Sequence, residues 1–405
     1  ELVYFDENYT GEYPSESPVT MDDLNEIYPT ASAAAKEDEE RMREAREATA
    51  ILQNEDRPGH RGYYALWQHI INESIKDLKQ SYDKLGVNFE LWRGESDCIK
   101  SIPEMMDIFA KKNLLRQSNG ATVMDVDEPT DSSPVPPLIL KTQSDSVGYQ
   151  TTELATIYER VKEFEPDEIW YVVDGRQEMH FKQVFRGAYK SGIVPEDMKL
   201  RFIGFGTMNG KDGKPFKTRE GTAPKLESLY NDIKEIFISK KEENKNLSNE
   251  DLDKIVNSIL KYGDLQNSKE KDYIFNIEKF SDTIGKTGPY ILYTYLRVNK
   301  ILKDNCYTQK DLSSKIYNES DRNLRMKLFD VEDYIYLAYN NRNPFYLADY
   351  VYDLCLLVNN FYQNNNISNL TDEENKNDWL YVLNLSNRII KEVLDLLVIQ
   401  IPSKM

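Results

Sequence analysis

Glu168-Ile169-Trp170-Tyr171-Val172-Val173-Asp174-Gly175-Arg176-Gln177 is an apolar run that ends in a turn and polar side chains. Its β-branched and aromatic content predicts a buried strand over Glu168–Asp174. Two similar runs flank it, Pro137–Lys141 before and Leu200–Gly206 after. Between them Thr151–Phe164 and Glu178–Lys190 read as helices. Strand–helix alternation with short links predicts a parallel sheet carrying helices on its faces. Ligands of such sheets sit outside the carboxyl ends of the strands, so the residues after each strand are the ones to inspect.

Three clusters lie there. The first, Gly148-Tyr149-Gln150-Thr151-Thr152-Glu153, opens a helix. Thr151 or Thr152 is the expected cap. Glu153 would then lie in the first turn, where the helix dipole favours a carboxylate. The second is Asp174-Gly175-Arg176-Gln177, with His180 one turn later. The third runs from Gly206 to Gly221 and holds Lys211, Lys214, Lys217 and Arg219 among glycines. Bare amides and mobile cations suit phosphate. Each cluster read alone also fits a bland role: a capped helix start, a turn with a capping aspartate, a solvated basic hairpin. His180 alone reads as a satisfied helix histidine. No Walker-type or Gly-x-Gly-x-x-Gly sequence is present, which disfavours ordinary P-loop or dinucleotide chemistry.

Outward from this region the text is helical. Residues 21–115 carry Ala- and Glu-rich stretches and a stripe of Leu66, Ile70, Ser74, Leu78 and Tyr82. Residues 240–270 are polar and read as a linker or solvated helices. Beyond Tyr273, Leu347, Val351, Leu354, Val358 and Phe361 form one bundle stripe. Val382, Leu385, Ile389, Val393 and Leu396 form another.

Composition narrows the function. Three scattered cysteines and three histidines make a zinc site or disulfide framework improbable. Sparse thiols suit a reducing cytoplasm. No apolar run approaches the ~20 residues that span a membrane. The net charge is −18, but residues 1–56 hold 16 acids and 4 bases, while the rest holds 53 acids and 47 bases. A basic groove beyond residue 56 is therefore compatible with the charge balance.

Taken together, these landmarks resemble the arginyl-tRNA synthetases, of class I. The Gly206–Gly221 run looks like the loop that replaces the Lys-Met-Ser-Lys-Ser signature, with Lys217 at the second signature lysine. Tyr149 followed four residues later by Glu153 resembles the family's Tyr-x-x-x-Asp element. Asp174-x-Arg176-Gln177 matches Asp-x-Arg-Gln. Gly285-Lys286-Thr287-Gly288-Pro289-Tyr290 and Ile401-Pro402-Ser403-Lys404-Met405 are further landmarks. The resemblance implies an ATP-dependent arginine–tRNA ligase. Its substrates are L-arginine, ATP with Mg2+, and tRNA(Arg), with no tightly bound metal and no membrane partner. It implies Tyr149, Glu153 and Gln177 at arginine, Gly204, Phe205, Gly206, Lys214 and Lys217 at ATP, and Lys217 and Arg219 in catalysis. A monomer is expected.

The implied architecture is α/β plus all-α. Residues 1–235 form part of a Rossmann-like catalytic domain, with 1–125 a largely helical insertion and 126–235 the α/β half. Residues 236–270 connect it to a helical anticodon-binding domain at 271–405. The family's His-Ile-Gly-His element is not in the chain, so the chain alone is expected to be inactive. Glu153 stands where aspartate is usual, Phe202 where histidine is usual and Thr222 where glycine is usual. Those departures motivate the rival reading, a non-catalytic tRNA-binding paralogue.

Overall fold

In this computed structural model, residues 2–143, 146–211, 213, 226–308, 312–313 and 315–405 are described. The chain opens with three helices, α1 (Met21–Glu37), α2 (Glu39–Leu52) and α3 (His60–Lys84). α1 starts at a capping box, Thr20 with Asp23. Neither α1 nor α2 has a buried residue, and Leu78 of α3 is exposed. The helices expected in this region are present, and the first two are lightly packed.

After a 3-10 turn at Glu95–Ser101 comes α4 (Ile102–Lys111), which buries Ile102, Met105 and Phe109. Then the helical expectation fails. Asn119 and Gly120 adopt φ of 50° and 79°, a left-handed pair that folds a tight hairpin. The hairpin joins β1 (Arg116–Ser118) to β2 (Ala121–Met124), and β2 pairs antiparallel with β3 (Leu138–Lys141). The strand predicted at 137–141 is real, yet it belongs to this antiparallel sheet. The parallel pairing expected here is that of β4 (Glu168–Asp174) with β5 (Lys199–Phe205), in register from Glu168–Lys199 to Asp174–Phe205.

Helices α5 (Tyr149–Phe164) and α6 (Glu178–Ser191) cover one face of that pair. Tyr171 and Phe202 face them and join a core with Leu138, Leu154, Ile157, Phe181 and Val184. The other face leaves Trp170 and Val172 exposed. Beyond β5, the two-residue strand β6 (Met208–Asn209) pairs in parallel with β7 (Tyr273–Ile274).

The second core is helical. α7 (Leu226–Lys240), α8 (Asn249–Leu265), α9 (Ile277–Phe280), α10 (Gly288–Asp304), α11 (Glu319–Phe329), α12 (Val331–Asn341), α13 (Phe345–Asn364) and α14 (Glu373–Leu396) surround it. The stretch 240–270 is thus no solvated connection in its second half. α8 buries nine residues, including Ile255, Val256 and Ile259 at 0% exposure. Its polar average hides a stripe at helical spacing.

The α13 stripe is buried as expected. The α14 stripe is buried in part: Val382 and Val393 are buried, Leu396 is 56% exposed, and Leu383, Ile390 and Leu394 are buried beside them. The text of α14 offers two adjacent apolar rows, and packing on α10, α11 and α13 centres the buried face between them.

α10 crosses α8 at Gly288, where a Cβ would stand 2.4 Å from the Ser258 carbonyl oxygen. That obstacle is backbone and has no rotamer to yield. Gly288→Ala should therefore destabilise the protein by about 1–3 kcal/mol, read as a lower urea midpoint with an unchanged slope. An unchanged midpoint would show that the two helices separate freely.

Candidate functional site

Helix α5 begins two residues earlier than expected. Its N-cap is Gly148, and no acidic residue lies in its first turn. The two threonines do other work. Thr151 donates to the Leu140 carbonyl at 2.6 Å, and Thr152 donates to the Tyr149 carbonyl at 2.9 Å. Gln150 accepts from the Ile139 amide at 2.6 Å. These bonds tie the start of α5 to β3 and make Tyr149 the first helical residue.

Tyr149 and Glu153 are then four apart on one helical face. Tyr149 is 61% exposed, and its ring lies 4.7 Å from that of His180. Gln177 is exposed, one turn before His180. The contact between Tyr149 and His180 therefore brings the first and second clusters together beyond the carboxyl end of β4.

Glu153 lies one turn deeper and is not stabilised by the helix dipole. Burial raises its pKa above the usual value, and Glu95 adds to the rise, while Arg160 opposes it. Its field is felt by Cys98 and by the Tyr171 hydroxyl, so it faces the 3-10 turn and β4. Among the described residues no ion pair holds Glu153, and such a half-buried carboxylate suits a guanidinium brought by a ligand.

His180 departs from the expectation. Its Nδ1 is enclosed and has no hydrogen-bond partner among the described residues. Burial lowers its pKa, which favours the neutral ring. Asp174 and Arg176, by contrast, satisfy each other. Asp174 accepts from the Arg176 amide at 2.8 Å and from its Nε and Nη2 at 2.9 and 2.6 Å. The Arg176 hydrogen bonds hold the Asp174 pKa low.

At the end of β5, Gly204 faces Gly175. A Cβ on Gly204 would lie 3.1 Å from the Gly175 Cα, so both strand ends stay bare there. Phe205 is exposed. The Gly206 amide is bonded to the Lys269 carbonyl at 2.7 Å. Phe202 packs on Phe181, 5.9 Å between ring centres, and its side chain belongs to the core. Lys214, Lys217, Arg219 and Thr222 lie outside the described residues.

A second site was only partly legible. A cleft of about 1230 Å³ runs between α10, the end of α13 and the chain terminus. Tyr293, Arg297, Lys300, Lys303, Tyr362 and Lys404 line it. Arg297 lies 4.6 Å from the centre of the Tyr293 ring and donates to its hydroxyl at 3.0 Å, which lowers the tyrosine's pKa. Ser403 anchors the terminus by donating from its amide and hydroxyl to the buried Asp251 of α8, at 2.6 and 2.8 Å. Cations and exposed aromatic rings in one groove suit single-stranded RNA.

A family model described as tRNA synthetases class I (R), catalytic domain, matches residues 2–277. Another, described as DALR anticodon binding domain, matches residues 291–405. The chain belongs to the arginyl-tRNA synthetases. It is 46% identical over 412 residues to the arginine–tRNA ligase of Alkaliphilus oremlandii, covering all of this chain and 69% of the relative. The ligase of Agathobacter rectalis is 42% identical over 421 residues, with 70% of its length covered. Among solved structures, the arginyl-tRNA synthetase of Plasmodium falciparum superimposes with a TM-score of 0.75 at 21% identity, over all of this chain and 67% of that one. The Thermus thermophilus enzyme gives 0.71 at 17%, over 88% and 69%. The function is therefore that of an arginine–tRNA ligase, an ATP-dependent synthetase. Nothing in these likenesses favours the non-catalytic alternative.

The raised pKa of Glu153 has a sign. Above 4.5, its ordinary value, the folded state holds this proton more tightly than the unfolded chain does. Stability contributed by the protonated acid is therefore lost as pH rises from 4.5 through the folded value. Glu153→Gln should raise the unfolding midpoint at pH 7 and lose that advantage near pH 4. A midpoint that falls at pH 7 would mean that the carboxylate is paired within the protein.

Proposed function

We propose that Tyr149, Glu153 and Gln177 form the arginine pocket of this ligase, beside a nucleotide subsite at the end of β5. The observation that carries this reading is the half-buried Glu153 on the same helical face as Tyr149, whose ring meets His180 near Gln177. Glu153 takes the substrate guanidinium. Gln177 and the Tyr149 hydroxyl orient the amino acid. Gly204, Phe205 and Gly206 pass under the nucleotide, where a bare backbone allows close approach. Lys214, Lys217 and Arg219 hold the phosphates.

In the first step an arginine carboxylate oxygen attacks the α-phosphorus of ATP. An O–P bond forms, the bond to the bridging oxygen breaks, and pyrophosphate leaves with both electrons. Lys217 and Arg219 neutralise the charge that grows on it. Mg2+ enters as part of the ATP complex. In the second step a hydroxyl of the terminal adenosine of tRNA attacks the arginyl carbonyl, and AMP leaves. The opposite end of the tRNA lies in the cleft lined by Tyr293, Arg297, Lys300, Lys303 and Lys404. The protein acts in the cytoplasm as a monomer. We also assign residues 1–235 to the catalytic unit and 271–405 to the RNA-reading unit.

Charging assays on the full gene product test both ends. Lys217→Ala should lower kcat for arginyl-tRNA formation by about 10²–10³, with tRNA binding retained. Undiminished charging by that variant would remove the loop from the mechanism. In the cleft, joint replacement of Lys300 and Lys303 by alanine should weaken tRNA binding. It should also flatten the dependence of log K on log salt by up to about two charges' worth. An unchanged slope would place the RNA elsewhere.

A further inference from the structure

The helical domain touches the exposed face of the catalytic sheet at the elbow Asn340–Phe345, between α12 and α13. Arg342 caps α12 with φ of 50°, a left-handed backbone that a residue with a side chain rarely adopts. Its guanidinium lies 5.1 Å from the centre of the Trp170 ring on the exposed face of β4, and its Nη2 is 3.6 Å from Glu168. Trp170 donates its indole N–H to the same carboxylate at 2.8 Å, and Arg201 of β5 holds that carboxylate in a fork at 2.7 and 2.9 Å. Hydrogen bonds from Arg201 and then Trp170 pull the Glu168 pKa down to about 2, so the acid stays ionised. An arginine from the RNA-reading domain is thus seated on a ring and an anion of the catalytic sheet.

The next residue continues the linkage. Asn343, 5% exposed, donates to Ser268 Oγ at 3.3 Å and Glu270 Oε2 at 3.5 Å. Its side-chain oxygen Oδ1 accepts from the Phe345 amide at 3.2 Å. The segment it grips is the one that holds the chain leaving β5. Lys269 accepts from the Gly206 amide, and Asp272 accepts from the Thr207 amide at 2.7 Å. The Tyr273 amide then bonds to the Thr207 carbonyl at 3.1 Å, and β6 pairs with β7. Residues 206–209 run directly into the cationic segment that ends at Gly221.

We propose that Arg342 is a positioning residue for catalysis: seated on Trp170 and Glu168, it fixes the elbow that, through Asn343 and residues 268–274, sets the base of the ATP-phosphate loop. The position of the RNA-reading domain is thereby tied to that of residues 206–209, which lead in sequence into the segment that carries Lys217. This rests on the assignment of Lys217 to the leaving pyrophosphate. Arg342 touches no substrate. Its loss is expected to loosen residues 206–209 by a fraction of an ångström, enough to slow transfer without removing a binding contact.

The experiment is a double-mutant cycle in the full gene product with Arg342→Gln, Trp170→Leu and both, with Arg342→Lys and Lys217→Ala beside them. Each is read for kcat, for KM of tRNA and ATP, and for the unfolding midpoint. Arg342→Gln and Trp170→Leu should each lower kcat about tenfold, with KM for tRNA within twofold. The pair should be no worse than the poorer single variant, since both cut one contact. Arg342→Lys, which keeps the charge over the ring, should recover part of kcat. A kcat unchanged in folded Arg342→Gln overturns the proposal. So does a loss confined to KM for tRNA, or losses that multiply in the double variant. Should Arg342→Gln not fold, Arg342→Lys decides: a kcat equal to wild type overturns, a reduced kcat at an unchanged midpoint supports. Full activity in Lys217→Ala would instead fail the loop assignment, a separate outcome.

Discussion

Seven backbone pairs between β4 and β5 hold the catalytic unit in place. A parallel ladder of two strands is too narrow to be stable alone. It persists because one face is covered by α5 and α6, whose side chains share a core with Tyr171 and Phe202. That covering also fixes function. It sets the starts of α5 and α6 beside the carboxyl ends of the strands, so Tyr149, Gln177 and His180 meet there. Gly204 of the same ladder meets Gly175 just beyond it, where a Cβ on Gly204 would stand 3.1 Å from the Gly175 Cα and closer still to the Phe202 ring. The exposed face, with Trp170 and Val172, is where Arg342 of the helical domain bears on the sheet, away from the covered face.

How far this was legible in the sequence depended on whether the deciding interaction was local. The run Glu168–Asp174 is β-branched or aromatic from Ile169 to Val173, and its strand was readable to the residue. The α13 stripe was equally plain, because polar residues bound it on both sides. The α14 stripe was not. Its text permits two apolar faces a step apart, and only the neighbours decide which residues of each are buried. The hairpin at Asn119-Gly120 was readable in principle from its turn dipeptide. It was obscured by the helical text around it, and with it went the antiparallel partner of β3.

The site shows the same division. The motif positions Tyr149, Glu153 and Gln177 were legible as residues, and the structure brings Tyr149 and Gln177 to one strand end. The environment of Glu153 was not legible. Thr151 and Thr152 are good caps by propensity, but each finds a tertiary or local carbonyl instead, and the helix starts at Gly148. That shift of two residues moves Glu153 out of the dipole's first turn and into the interface with the 3-10 turn. A carboxylate expected to be stabilised in its charged form is instead held closer to its neutral one. Desolvation depends on what packs above a residue, and no spacing rule reports it.

Net charge was the weakest guide, and the reason is geometric. Charges separated by more than about 8–10 Å are screened at physiological salt. A polyanion therefore responds to the few cations near it and not to the total of −18. Most of the acid excess sits in the first 56 residues, on α1, α2 and the segments beside them. The cations of the cleft come from α10 and from the chain terminus, held against α8 by Ser403 on Asp251. Burial alone would raise the pKa of Asp251, but the Ser403 and Ser248 hydrogen bonds bring it down. The terminus is thus docked on a dependable anion, and Lys404 is delivered to the cleft by a contact that net charge cannot describe.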